Sequence, residues 1–104
     1  MDYTREDKKG CAIIRYKGPF SIYEAPAIRD LFLECFASAR GLQLDMEAVT
    51  ECDTAGIQLL CSARATAEAE GKVFRIEHMS DAVIQALTAG GLTPDKISGQ
   101  GKEE

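Results

Sequence analysis

The chain contains no tryptophan, a single histidine and only three prolines, and its basic residues fall short of its acidic ones, 12 against 17, for a net charge of −5. A protein that holds nucleic acid needs the opposite balance to neutralise phosphates, so nucleic acid is excluded as a partner. No apolar run approaches the roughly 20 residues that cross a bilayer, and direct membrane insertion is not expected. The opening residues MDYTREDKKG have no apolar h-region. A secretory signal is therefore not expected, and a cytoplasmic location is.

The shortage of histidine also weakens any catalytic reading. A nucleophile and base pair would have to centre on His78, and a loop histidine is ordinarily a polar surface residue. No HExxH zinc helix, GxGxxG dinucleotide loop or Walker phosphate loop occurs. Cys11, Cys35, Cys52 and Cys61 lack the spacing of a metal or redox pair and lie within or beside apolar runs, as small buried hydrophobes do in a reducing compartment. Cys52 alone is close enough to the candidate site to be considered as a reactive thiol. Asp45 with Glu47, and Glu51 with Asp53, could coordinate Mg²⁺, although acids alternating along a strand read first as a solvated face. The expectation is a protein without enzymatic activity, cofactor or metal.

What is present fits one soluble domain: 104 residues, 45% hydrophobic and 28% charged. That domain is placed at residues 1–98, with a disordered polar tail at 99–104. Cys11 to Tyr16 is β-branched and aromatic and predicts a strand, preceded by a turn at Asp7 to Gly10 and a weak edge strand at Tyr3 to Glu6. Gly18 and Pro19 should end it. Ile28, Leu31, Phe32, Cys35, Phe36 and Ala39 repeat at helical spacing and predict a first helix. Ser21 and Glu24 have capping-box spacing, Pro26 belongs to a first turn, and Gly41 is the expected terminator. Leu42 to Val49 alternates as a strand. A second helix should run from Thr54 to Glu70, closed by Gly71, followed by a strand at Val73 to Ile76. Ser80 or Asp81 then caps a short helix that stops at Gly90 and Gly91.

Alternating strands and helices predict an α/β fold, a mixed and mostly parallel sheet of about four strands with helices packed against it. Parallel strands bring their C-terminal ends to one edge, where ligand sites of such sheets lie. That edge gathers Lys17 to Tyr23, Glu51 to Ala55, and His78 to Ser80.

On this edge sits ECDTAGIQLL, from Glu51 to Leu60. Asp53 precedes the second helix and can accept an N–H from its first turn. Thr54 then places a hydroxyl at the helix mouth, before unpaired N–H groups and the positive end of the dipole, where a phosphate is held well. Gly56 lets another backbone approach the first turn. From these residues alone, a plain helix cap and a phosphate-bearing hydroxyl are both open readings.

LQLDMEAVTECDTAGIQLL resembles the central signature of the STAS domain family: an apolar strand ending in Leu-Asp, a turn, then Asp, a Ser or Thr, a small residue, Gly and an aliphatic residue opening a helix. GPFSIYEAPAIRDLF is similar to the family's GELD loop and first helix, and GKVFRIEHMSDAVIQALTAGGL to its later strand and helix. The likeness covers Cys11 to Leu92. Ser21 stands where the family loop has its aspartate, and Ala55 leaves Thr54 as the local phosphoacceptor.

The resemblance implies an anti-sigma factor antagonist or a chemotaxis-linked signalling protein. Its partner would be a histidine-kinase-like ATPase, either a serine kinase anti-sigma factor or a chemotaxis kinase, which phosphorylates Thr54 and so releases the protein. Asp53, Ala55 and Gly56 would form the phosphate mouth, and Phe20, Ser21, Tyr23, Thr54, Ala55 and Gln58 the partner surface. Phe20 and Tyr23 could equally pack inward, Phe20 as a staple into the first helix. DTAG is also similar to the DTGG-bearing subunit of phospholipid-transporting ABC complexes, which implies the alternative of an accessory subunit of a transporter ATPase.

Overall fold

The computed structural model describes residues 2–94 and 97. The expected tail at 99–104 lies outside the described residues. Seven elements follow in order: β1 (Asp2–Lys8), β2 (Cys11–Phe20), α1 (Ala25–Ser38), β3 (Gly41–Cys52), α2 (Thr54–Glu70), β4 (Val73–Glu77) and α3 (Asp81–Ala89). The strands form one sheet in the order β1-β2-β3-β4. β1 is antiparallel to β2, and the β2–β3 and β3–β4 pairs are parallel. This is the mixed, mostly parallel α/β sheet that the alternation of elements predicts.

Alternation within each strand decides which side is covered. Ala12, Ile14 and Tyr16 of β2, Leu42, Leu44 and Met46 of β3, and Phe74 and Ile76 of β4 are buried, together with Ile28, Leu31, Phe32, Cys35 and Phe36 of α1, Ile57 and Leu60 of α2, and Val83 and Leu87 of α3. The helices therefore share one face of the sheet. The opposite face carries Arg15, Lys17, Glu47 and Arg75 to solvent.

Several boundaries differ from expectation, each for a local reason. The hairpin turns at Lys9 and Gly10, both at positive φ (55° and 85°), with Lys8 facing Cys11. This two-residue geometry suits a right-twisted hairpin, and Asp7 remains in β1. β2 does not stop before Gly18 and Pro19 but runs to Phe20. β3 runs beside this stretch, pairing Pro19 with Glu51, and among the described residues β1 pairs no further than Lys17, so the side of Pro19 that faces away from β3 carries no ladder bond. At two register shifts, Arg15/Lys17 and Gly18/Pro19, β3 carries one residue more than β2; this breaks the period of two in β3 and brings Val49 into the core, while Phe20 keeps the inward phase of Ala12, Ile14 and Tyr16.

Gly41 does not terminate α1. That helix ends at Ala39 in extended backbone, and Gly41 is the buried first residue of β3, where a Cβ would lie 2.8 Å from the Val73 carbonyl oxygen. Lys72 reaches back to donate to the Phe36 and Ala39 carbonyls at the α1 terminus. Gly71 closes α2 in the left-handed conformation (φ 67°), and Ser80, not Asp81, caps α3 by accepting from the Val83 N–H at 3.4 Å.

Candidate functional site

Two loops meet beyond the C-terminal ends of β2 and β3, and one carboxylate joins them. Asp53 has extended backbone (φ −120°, ψ −175°) and is the N-cap of α2. Its Oδ1 accepts the Gly56 N–H at 2.9 Å, as the sequence predicts for a cap. Its Oδ2 accepts the Ile22 N–H at 3.1 Å, across 31 residues of chain. The Gly56 N–H first, then those of Ile22, Asp53 itself and Ala55, hold the Asp53 carboxyl below its ordinary value, against the opposing effect of desolvation. Sequence spacing displays the first of these bonds, which is local. The second joins residues that only the folded sheet brings together.

The stretch between β2 and α1 is a turn built on Ser21 and Glu24. Ser21 Oγ donates to Glu24 Oε1 at 2.6 Å, and the Ser21 N–H donates to the same oxygen at 3.2 Å. Ser21 Oγ accepts the Tyr23 N–H at 3.3 Å, and the Ser21 carbonyl accepts the Glu24 N–H at 3.0 Å. Only half of the expected capping box forms, and it lies before the helix: Glu24 accepts the Ser21 N–H, but Ser21 Oγ donates to Glu24 instead of accepting its N–H. Glu24 is the N-cap of α1 without a side-chain cap bond, and Pro26 occupies the first helical turn, where its missing N–H costs nothing.

The expected site residues divide by exposure. Thr54 opens α2 with its side chain exposed, Gln58 is exposed one turn later, and Ala55 is half-buried between them. Tyr23 is 89% exposed. Phe20 is placed otherwise: it is fully buried, in an edge-to-face contact with Tyr16 (5.2 Å between centroids) and tilted against Phe32 at 6.4 Å. Its assignment to the partner surface is corrected to a core role, the inward alternative of the sequence reading. Ser21 is buried as well, at 8% exposure, and orders the turn instead of offering contact area. Sequence reasoning passed over Ile22, which is 60% exposed beside Tyr23. The available signal was an aliphatic residue between Ser21 and Glu24 that belongs to no helical face.

Gly56 explains how the two loops come so close. A Cβ there would lie 2.3 Å from the Phe20 carbonyl oxygen and 2.9 Å from Phe20 Cδ2. The first turn of α2 therefore rests directly on the end of β2. Cys52 packs against the same place, and burial, followed by the charge of Asp53, pushes its thiol up to about 11. A thiol at that value is protonated near neutral pH, so Cys52 is no reactive thiolate.

The acidic pairs also separate. Asp53 is committed to N–H groups and Glu51 is exposed. Asp45 is ion-paired with His78 at 3.2 Å, and one donor atom from each of Asp45, Glu47 and His78 falls within 4.8 Å of the others. The hydrogen bond to Asp45, with the charges of Asp45, Glu47 and Glu77, raises the His78 pKa. β4 ends opposite Asp45 while β3 runs on to Cys52, and the Ser80 N–H donates to the Met46 carbonyl, so His78 to Ser80 do not share the edge of Glu51 to Ala55 that the sequence predicts for them.

The profile of the family described as "Mlab, STAS domain" matches residues 4–97. The chain belongs to the STAS domain family. No curated protein matches this STAS domain in sequence. Among solved structures, an anti-sigma factor antagonist from Mycobacterium paratuberculosis superposes with a TM-score of 0.75 at 21% identity, over 89% of this chain and 85% of that one. The phosphorylated form of the Bacillus cell fate determinant SpoIIAA gives 0.72 at 15% identity, over 98% and 93%. The unphosphorylated form of the anti-sigma factor antagonist SpoIIAA gives 0.68 at 15% identity, over 88% and 86%. At such identities the likeness establishes the STAS fold. Among the described residues, no helix of this STAS domain is long and apolar enough to cross a membrane.

Loss of the Asp53 carboxylate should be measurable without any partner. Asp53→Ala removes the α2 cap and the tie to Ile22, and should lower stability by about 1–2 kcal/mol near neutral pH. The folded-state pKa of Asp53 is depressed. Its contribution is therefore present above the unfolded value of about 3.9 and lost as pH falls through the folded value. Urea melts of the two chains should differ at pH 7 and converge in acid. A constant difference across that range would refute a role for the carboxylate charge.

Proposed function

We propose that this STAS domain is a cytoplasmic binding module without catalytic chemistry of its own, which docks on a histidine-kinase-like ATPase and is switched off when that partner phosphorylates Thr54. One observation carries the reading. The Thr54 hydroxyl stands exposed at the positive end of a 17-residue helix, capped by Asp53 and flanked by a second loop that exposes Ile22 and Tyr23. A phosphoacceptor placed there is accessible to a kinase and lies within the contact surface that it would modify. The fold of two neighbours described as anti-sigma factor antagonists, and of SpoIIAA in phosphorylated form, supports the same direction. Thr54, Ala55, Gln58 and Tyr23 form the surface assigned to the partner, joined by Ile22.

The test is phosphotransfer. Incubated with ATP and a histidine-kinase-like ATPase encoded beside it, the protein should gain one phosphate, mapped by mass spectrometry to Thr54. Phosphate on another residue, or none with any such kinase, rejects the assignment. The similarity of Asp53 to Gly56 to the DTGG run of phospholipid-transport subunits supports a second reading, an accessory subunit of an ABC-type transporter ATPase. Co-purification with such an ATPase, with Thr54→Ala and Thr54→Glu both functional, would decide for it.

A further inference from the structure

The Asp53 carboxylate has two oxygens and two separate commitments, one within α2 and one to the neighbouring loop. The loop it holds is the Ser21–Glu24 turn. Four bonds tie that turn to itself, through Ser21 and Glu24. The Ile22 N–H is what attaches its tip to α2, and the residues at the tip, Ile22 and Tyr23, are 60% and 89% exposed. Two large apolar side chains displayed on an internally rigid turn have the form of interface anchors, which need a fixed presentation to be effective.

Thr54 is the residue next to this carboxylate. A phosphothreonine carries a charge of about −1.5 to −2 at neutral pH and seeks N–H donors. The nearest donors are those of the first α2 turn, and one of them, Gly56 N–H, is the donor that Asp53 already uses. Phosphate and carboxylate are thus like charges competing for one set of N–H groups. Asp53 cannot move from the helix mouth without also leaving Ile22, because the same planar group makes both bonds.

We infer that Asp53 is a positioning residue that couples the phosphorylation state of Thr54 to the Ile22–Tyr23 turn: the phosphate takes the helix mouth, the carboxylate is displaced, and the tip of the turn is released. This deepens the phosphoswitch reading given above and rests on it for its biological use. It gives the modification a second way to act, since the phosphate detaches an apolar contact element from α2 at the same time as it adds charge. Ser21 and Glu24 keep the turn folded as a unit, so the release changes where the turn is held and not whether it exists.

The experiment needs neither kinase nor partner. The full chain is made with phosphothreonine incorporated at position 54, and amide exchange is followed residue by residue by NMR. Protection of the Ile22 N–H should fall by about tenfold or more relative to the unmodified chain, while Gly56 N–H stays protected on its new acceptor and Ile14 and Leu44 in the sheet are unchanged. Asp53→Asn in the unmodified chain supplies the comparison. With its oxygen on the Gly56 N–H, the side-chain NH2 of the asparagine faces the Ile22 N–H, donor against donor, so Ile22 should lose protection there without any phosphate. Unchanged protection of Ile22 in the phosphothreonine chain overturns the proposal, as does an equal loss at Ile14 and Leu44, which would mean general destabilisation. Absence of kinase-dependent phosphorylation is a separate result, because the phosphate is installed during synthesis.

Discussion

A Gly56→Ala chain should melt more than about 10 °C below the parent, although the change adds one methyl group to a helix and improves intrinsic helix propensity. The added Cβ would meet the Phe20 carbonyl oxygen at 2.3 Å, which is backbone of β2 and cannot rotate away, and also Phe20 Cδ2 and Cys52 Sγ at 2.9 and 3.1 Å. To accommodate it, the first turn of α2 must lift from the end of β2. That movement strains the Asp53 cap and opens the packing over Phe20, a fully buried side chain. We expect about 3 kcal/mol, the upper end of the range for overpacked sites. Ala65→Gly, at an exposed position in the interior of the same helix, gives the contrast: it should cost only about 1 kcal/mol through propensity. Thermal melts of both chains check the pair of values, and a Gly56→Ala chain within 2 °C (about 0.5 kcal/mol) of the parent would show that the junction is not tightly packed.

The second large effect belongs to the partner complex. With the cognate kinase identified by phosphotransfer, the chain phosphorylated on Thr54 should bind it about a hundredfold more weakly than the unmodified chain, a change of ~2.7 kcal/mol. The charge enters a surface that already holds Asp53 and an exposed Glu51, on a protein of net charge −5. Desolvating a phosphate there without new cationic partners is unfavourable. Thr54→Ala should bind like the unmodified chain and resist inactivation by ATP. Calorimetry of the three forms measures this, and equal affinity of the phosphorylated and unmodified chains would exclude an on-off switch at Thr54.

The parts of the molecule legible in the sequence are those governed by short-range rules. The α1 face from Ile28 to Phe36 and the cap at Asp53 depend on spacings of three or four residues, and both appear as read. The strand limits were harder because they are set by neighbours. β2 continues through Gly18 and Pro19 because β3 runs beside it as far as Cys52, a fact about another strand. Gly41 looked like a helix terminator but serves a close approach to Val73, which is distant in the chain. The same limit applies at the site. The Asp53 bond to Gly56 has a local signature, whereas its bond to Ile22 has none. Phe20 was ambiguous because Gly18 and Pro19 look like the end of the strand; since β2 in fact runs through them, Phe20 keeps the inward phase of Ala12, Ile14 and Tyr16.

The strand order bears on how the chain comes together. Each hydrogen-bonded pair in the β1-β2-β3-β4 sheet joins strands that are consecutive in sequence, so no strand must be inserted between two already paired. The β1–β2 hairpin closes over Lys9 and Gly10, an event of about 1–10 μs for an isolated hairpin, whereas each parallel pairing must wait for an intervening helix. Assembly can therefore advance from the N-terminus in the direction of synthesis, one strand added at the growing edge. The Asp53 tie to Ile22 becomes possible only when β3 has docked beside β2, which makes this junction a product of the second step and not of the hairpin.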